Sequence, residues 1–394
     1  MRLAHLADLH LGRVFHANSL VEDQAHALAQ VLDVLRGDEV DAVVIAGDLY
    51  DRALPGRDAV RLLDWFLREV NESLSLPVIA IAGNHDSADH LGFGSWMFRR
   101  ENLHVRGRFD PAAPPVTLRD EHGDVVVYPL PYVEPEVARE VLSADGEAAE
   151  GVSVTHRDTV LALLKRAQAQ RASRGDARSV AVAHGFVQGD RWPDECPRSE
   201  RSLYLGGVGA APASAFEGFC YAALGHLHRP QSLTPDGRVR YAGSLLKYAF
   251  DEVDQPKGLT VVQLDRGGLA SVEHRAITPR RDLARIEGDL DSLLTRDDLA
   301  RFEGCFVSAE VTDRPPPLQA MARLRERFPF AAELRFRALE LELPDLAPHA
   351  LRAARDPAEV FEGFFARETG AAPTDLQLEA FREALTKARA EESA

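Results

Sequence analysis

Five short apolar runs punctuate the first 230 residues, and each ends in a carboxylate, an amide or an imidazole. Leu6-Ala7 leads into Asp8 and His10, and Val43–Gly47 into Asp48. Residues 77–82 lead into Gly83-Asn84-His85-Asp86, Val180–Ala183 into His184-Gly185, and Tyr221–Gly225 into His226 and His228. Short apolar runs bounded by turn residues read as buried strands, and glycine beside four of them lets the backbone turn without a Cβ in the way. Between the runs the apolar spacing becomes helical. Asp23–Leu35 predicts one helix, Asp58–Val70 a second with Val60, Leu63, Phe66, Leu67 and Val70 on one face, and Val160–Gln170 a third. Leu91–Arg100 predicts a short aromatic-rich helix. Strands alternating with helices indicate an α/β domain with helix-covered sheets. Ligands bind beyond the carboxyl ends of the strands in such sheets, so these scattered polar residues are expected to converge.

Val125–Tyr128, Val239–Tyr241 and Leu259–Leu264 supply further strands, which places the main domain at residues 1–278. Over 279–343, Cys305–Val311, a helix at Leu318–Phe328 and Glu333–Leu341 predict a small β-α-β unit. Residues 344–394 read as a linker and a helical tail with two apolar stripes, Val360, Phe361, Phe364 and Phe365 on one segment and Leu378, Phe381 and Leu385 on the other. Isolated helices of this length are marginal in water, and a short pair is not expected to bury such faces against itself. The tail therefore either folds back onto the main domain or docks on another protein.

No apolar run approaches 18 residues, so no membrane span is expected, and the chain enters its first strand at Arg2-Leu3, which points to the cytoplasm. Cys196, Cys220 and Cys305 lack CxxC spacing and give neither a disulfide framework nor a thiolate zinc site. Gly206, Gly207 and Gly209 lack the Lys-Ser/Thr of a phosphate-binding loop. The net charge of −16 argues against a protein that coats nucleic acid, though a nuclease needs only a local basic surface.

One Asp-x-His is more often a capped turn than a site, and a lone Gly-Asp is equally weak. Five such endings together are different, because a fold has no structural reason to gather seven polar groups at strand ends. Oxygen and imidazole donors without thiolate suit borderline divalent ions, Mn²⁺ ahead of Mg²⁺, with Fe or Zn compatible. Asp8 and His10, and likewise His226 and His228, stand two apart and point to one side of an extended chain. Seven donors suit two ions, with Asp48 as the natural bridge, and paired ions clamp the oxygens of an in-line phosphoryl displacement.

The motifs Asp8-x-His10, Gly47-Asp48, Gly83-Asn84-His85-Asp86, His184-Gly185 and Gly225-His226-x-His228 resemble those of the calcineurin-like metallophosphoesterases. Tyr241-Ala-Gly-Ser244, Phe250-Asp-Glu and Lys257-Gly258, with the additions after residue 275, are similar to the branch of nuclease subunits that work with an ATPase. The resemblance implies a β-sandwich flanked by helices in αββα layers, a small α+β capping domain and a partner-binding tail. It implies one ion on Asp8, His10 and His228, a second on Asn84, His184 and His226, and Asp48 bridging. His85 would then face the scissile phosphate, stabilising charge or protonating the leaving oxygen. Some relatives carry a second phosphate-facing histidine where this chain has Asp51, which is left out of the catalytic set.

Arg13, His16, Arg52 and Arg57 follow the first two motifs and are candidate contacts to DNA phosphates. Phe93, Trp96, Met97 and Phe98, with Leu62, Trp65 and Phe66, read either as core or, by the resemblance, as a face pairing two subunits. The implied activity is Mn²⁺-dependent exo- and endonucleolytic cleavage of DNA ends and hairpins in repair, with the ATPase gripped by the tail. A phosphatase or cyclic-nucleotide phosphodiesterase, and a non-catalytic scaffold, are the competing readings. The extra domain and tail count against the first, and the intact donor set against the second.

Overall fold

The structure is a computed structural model that describes residues 1–110, 112–144, 155–175, 177–189 and 209–337, with 361, 365, 373, 374, 377, 378 and 380–382. The chain builds two six-stranded mixed sheets. In the first, Arg2–Leu6 (β1), Ala42–Ala46 (β2), Val78–Ile81 (β3) and Leu103–Arg106 (β4) run parallel. In the second, Val116–Asp120 (β5) pairs antiparallel with Gly123–Leu130 (β6), which is followed laterally by Arg178–His184 (β7), Tyr221–Gly225 (β8), the edge strand Gln231–Ser232 (β9) and Val239–Tyr241 (β10), in the spatial order β5-β6-β7-β8-β10-β9. Gly258–Asp265 (β11) returns to the first sheet antiparallel to β1, and Gly268–Ala276 (β12) pairs antiparallel with β11 at the edge.

The apolar runs are continuous because both faces of these strands are buried. Side chains alternate along a strand, so Val43 and Ile45 of β2 join the cluster under the helices Val21–Gly37 (α1) and Arg57–Arg68 (α2). Ala42, Val44 and Ala46 point the other way, into the layer between the sheets, where Ile79, Val125, Val182, Tyr221 and Ala223 meet them. The outer face of the second sheet, including Tyr128, Ala181 and Leu224, is covered by His156–Ala172 (α3) through Leu163, Leu164 and Ala167. Thr155 and Asp158 close a reciprocal capping box at the start of α3. The result is the four-layer αββα arrangement.

The segment after residue 279 differs from the expected β-α-β unit. It has three parallel strands, Leu283–Gly288 (β13), Phe306–Val311 (β14) and Ala331–Phe336 (β15), with helices Leu290–Thr295 (α4) and Ala320–Arg327 (α5). The extra strand, Leu-Ala-Arg-Ile-Glu-Gly, mixes apolar and charged residues, so it lacks the continuous apolar run that marked the others. The guanidinium of Arg281 lies 4.7 Å from the ring centres of both Phe306 and Phe330 and pairs with Asp23 of α1. Leu283 and Phe306 also join the core under α1, so this unit is packed against the main domain.

Two further expectations change. Leu91–Arg100 is not one helix: Ala88–Gly92 and Ser95–Phe98 are separated at Gly94, whose φ of +72° breaks the helical path. Phe93 and Trp96 are 80% and 62% exposed, which rules out core packing for them, whereas Leu62 and Phe66 are buried. In the tail, most of which lies outside the described residues, the ring of Phe361 stacks on Phe381 at 4.3 Å. Val360, Phe364 and Leu385 of the two stripes lie outside the described residues.

Candidate metal centre

All seven predicted donors meet where the carboxyl ends of β1, β2, β3, β7 and β8 come together. Asp8, His10 and Asp48 adopt positive φ values of 52°, 45° and 52°, a region non-glycine residues enter at a cost. Backbone hydrogen bonds between the two loops hold them there, from Asp8 N to the Gly47 carbonyl (3.1 Å) and from His10 N to the Asp48 carbonyl (3.0 Å). The motif glycines have steric reasons. A Cβ on Gly47 would strike the His184 ring, one on Gly83 the Asp48 carboxylate, and one on Gly225 the Ala46 carbonyl.

The donors form two groups. Asp8, His10 and His228 bring ligand atoms within 4.8 Å of one another, with the Nε2 atoms of the two histidines 3.1 Å apart. Oδ1 of Asn84 lies 2.9 Å from His184 Nε2 and 3.0 Å from His226 Nδ1. Between the groups, Oδ2 of Asp48 is 3.6 Å from His10 Nε2 and 3.5 Å from His184 Nε2. Its other oxygen accepts the His85 N–H at 2.8 Å.

This set fits metal ions on its own chemistry. His184 Nδ1 donates to the Ala46 carbonyl at 2.8 Å, which leaves Nε2 as a lone pair in the neutral ring. That lone pair faces the carbonyl oxygen of Asn84, so two acceptors confront each other at hydrogen-bond distance, an arrangement that a shared cation stabilises. Burial, foremost, lowers His10 to about 4 and His226 to about 3, so both imidazoles are neutral and able to ligate near pH 7. For Asp48, burial works against the anion, but the fields of His184, His10 and His85 hold its carboxyl below the usual range. The site binds divalent metal through oxygen and imidazole donors.

His85 belongs to neither of the two donor groups, but its ring nitrogen comes within 4.8 Å of ligand atoms of His10 and Asp51. Its ring is exposed, lies edge-on to His10 at 4.7 Å, and offers Nδ1 to the Asp51 carbonyl at 3.0 Å, which leaves Nε2 for a substrate. The four proposed DNA contacts diverge. Arg13 pairs with Asp51 at 2.8 Å and lies over the Tyr248 ring, and His16 faces Glu333 of β15 at 3.7 Å. Arg52, also beside Asp51 at 3.8 Å, and Arg57, at the start of α2, project into solvent.

Several supporting residues carry no ligand signal in the sequence. Glu252 is buried, sits 3.2 Å from His228 Nδ1 and 2.7 Å from Lys257, and caps the Tyr248 N–H. Burial would raise its carboxyl, but the bonds to His228 and Lys257 bring it down to about 2. Asp86 accepts the N–H groups of Leu49, Tyr50 and Gly83 at 2.9–3.0 Å and so ties the second motif to the third. Its place in Gly-Asn-His-Asp was the only hint, and for Glu252 it was Phe250-Asp-Glu.

The family described as calcineurin-like phosphoesterase matches residues 1–230, and the type 5 capsule protein repressor C-terminal domain matches 279–369. The chain is 29% identical over 331 residues to the SbcD nuclease subunit of SbcCD from Staphylococcus epidermidis, covering 84% of this chain and 83% of that protein. Among solved structures, TT1561 of Thermus thermophilus is 12% identical, with a TM-score of 0.38 over 69% of this chain and 98% of that one. A dimetal phosphatase from Danio rerio is 15% identical, with a TM-score of 0.36 over 71% and 99%. The first match spans more than half of the chain and contains all five motifs, and the chain belongs to the calcineurin-like phosphoesterase family.

Proposed function

We propose that this chain is a metal-dependent nuclease that hydrolyses phosphodiester bonds at DNA ends and hairpins, as the nuclease subunit beside an SbcC-type ATPase. The observation that carries it is the position of Asp48 Oδ2, about equidistant from a nitrogen of each donor group. Asp8, His10 and His228 would hold one ion, Asn84, His184 and His226 the other, and Asp48 both, with Mn²⁺ the best match to the donors. Bound ions supply Lewis acidity toward a phosphoryl oxygen and lower the pKa of water. His85, fixed through Asp48 Oδ1 and the Asp51 carbonyl, stabilises charge on the phosphate or protonates the leaving oxygen. The similarity to a protein named as a nuclease subunit over 84% of this chain supports DNA over a small ester as substrate.

The exposed aromatic face of Trp65, Phe93, Trp96 and Met97 is read as the contact of a homodimer. The tail is read as the segment that grips the ATPase, and the cytoplasm as the site of action. Among the described residues no helix is long and apolar enough to cross a membrane. The test is cleavage of a linear duplex and of a hairpin with Mn²⁺, with chelator, and beside a nucleotide monoester and a cyclic nucleotide. DNA cleavage that chelator abolishes supports the proposal; turnover of the small esters alone replaces it with a phosphatase or cyclic-nucleotide phosphodiesterase.

A further inference from the structure

Beside the Asn84 group lies a cavity of about 100 Å³ that the reaction as described does not use. Its polar side is formed by Asn84, His184 and His226, the same residues that form the second donor group. Its other lining is mostly apolar or aromatic, including Val133, Val160, Leu163, Phe186, Tyr132 and His156, with Thr159 the one hydroxyl besides that of Tyr132 among the described residues. The rings of Tyr132 and His156 stack at 5.7 Å and 27°, and the Tyr132 hydroxyl lies 3.3 Å from His156 Nδ1. The platform is anchored at both ends. Tyr132 N donates to the Ala82 carbonyl at 2.9 Å, two residues before Asn84, and His156 begins the capped helix α3.

Among the described residues no Lys or Arg lines this cavity, so none of them would hold a second phosphate there. Its volume is about two thirds of the ~150 Å³ cavity that takes a benzene ring, so it suits a single six-membered ring rather than a fused one. A group entering it must be planar, largely apolar and joined to whatever sits on the metal donors, since the wall and the donor group are the same side chains. We propose that this cavity is a nucleobase subsite, in which Tyr132 stacks on the base of a nucleotide flanking the scissile phosphate. The inference rests on the nuclease reading above and deepens it.

The experiment compares wild type, Tyr132→Ala, Tyr132→Phe and Val160→Phe on duplex DNA with Mn²⁺. Each protein is assayed on intact ends and on ends with an abasic residue on one side of the scissile bond, then on the other. Tyr132→Ala is expected to lower kcat/KM on intact ends roughly tenfold, the scale of one lost stack, and Tyr132→Phe to restore most of it. Removing the base on one side should cost wild type the same factor and cost Tyr132→Ala nothing further. Val160→Phe fills the cavity and should reproduce the loss, which keeps the test valid if Tyr132→Ala does not fold. Variants that keep full sensitivity to base removal overturn the subsite while leaving the nuclease reading intact. Wild type that fails to cleave DNA at all overturns the nuclease reading and the subsite with it.

Discussion

Nδ1 of His228 lies 3.2 Å from Oε1 of Glu252, a carboxylate buried to 1% exposure and paired on its other oxygen with Lys257. The bond fixes the tautomer of His228 and turns Nε2 toward His10, the arrangement by which a carboxylate orients a metal-binding imidazole. Glu252→Gln is therefore expected to weaken Mn²⁺ binding about 10–100-fold, read by calorimetric titration. Unchanged affinity in the folded variant would mean that Glu252 only packs. Lys257→Met leaves the Glu252 carboxylate buried beside one partner fewer, and should cost about 3–5 kcal/mol of stability, read from urea unfolding.

His85 separates chemistry from binding. Its backbone N–H bonds Asp48, while its exposed ring lies edge-on to His10. His85→Ala should keep both metal ions and DNA affinity, while cleavage falls roughly a hundredfold or more. Loss of one metal equivalent in this variant would make His85 a ligand.

Stability should fall with acid through a group remote from the donors. His5 is buried between the Tyr221 hydroxyl (2.9 Å) and the Leu224 carbonyl (3.2 Å). Burial, with the nearby Arg240, lowers its imidazole to about 3, against about 6.5 in an unfolded chain. The unfolded state thus binds more protons between those values, so the neutral buried ring favours folding above pH 6.5 and that advantage is lost as pH falls from 6.5 toward 3. Between pH 7 and pH 5, with chelator present, wild type should lose about 2 kcal/mol more than His5→Gln. Equal losses in urea titrations at the two pH values would exclude His5 as the source.

The tail gives a test of partnership. A chain ending near Leu351 should stay folded, keep Mn²⁺-dependent cleavage of simple ends, and lose binding to an SbcC-type ATPase in a pull-down. Retained binding would move the docking surface elsewhere, and a large drop in melting temperature would make the tail part of the core.

The parts of the molecule that were legible in the sequence share one property. β2, β3 and β8 are buried on both faces and written as unbroken apolar runs, β1 and β7 carry shorter runs beside polar residues such as His5 and Arg178, and each of the five announces its loop by leading into Asp, Asn or His. β13 is mixed in character and went unseen, as did β12, where exposed and half-buried positions dilute the pattern. The donors were visible because imidazoles and carboxylates have few structural reasons to follow a strand. Glu252 and Asp86 were not, because a carboxylate that accepts N–H bonds looks like any loop acid until its partners are in place. For Arg13 and His16 the sequence offered a candidate phosphate contact but not their carboxylate neighbours, Asp51 and Glu333, which only the fold brings beside them.

The central claim is a pair of ions bridged by Asp48, and titration of Mn²⁺ into the metal-stripped protein tests it most directly. Wild type should bind two equivalents, and Asp48→Ala, folded by circular dichroism, should bind neither tightly and cleave no DNA. Two Mn²⁺ still bound to the folded Asp48→Ala chain would contradict it.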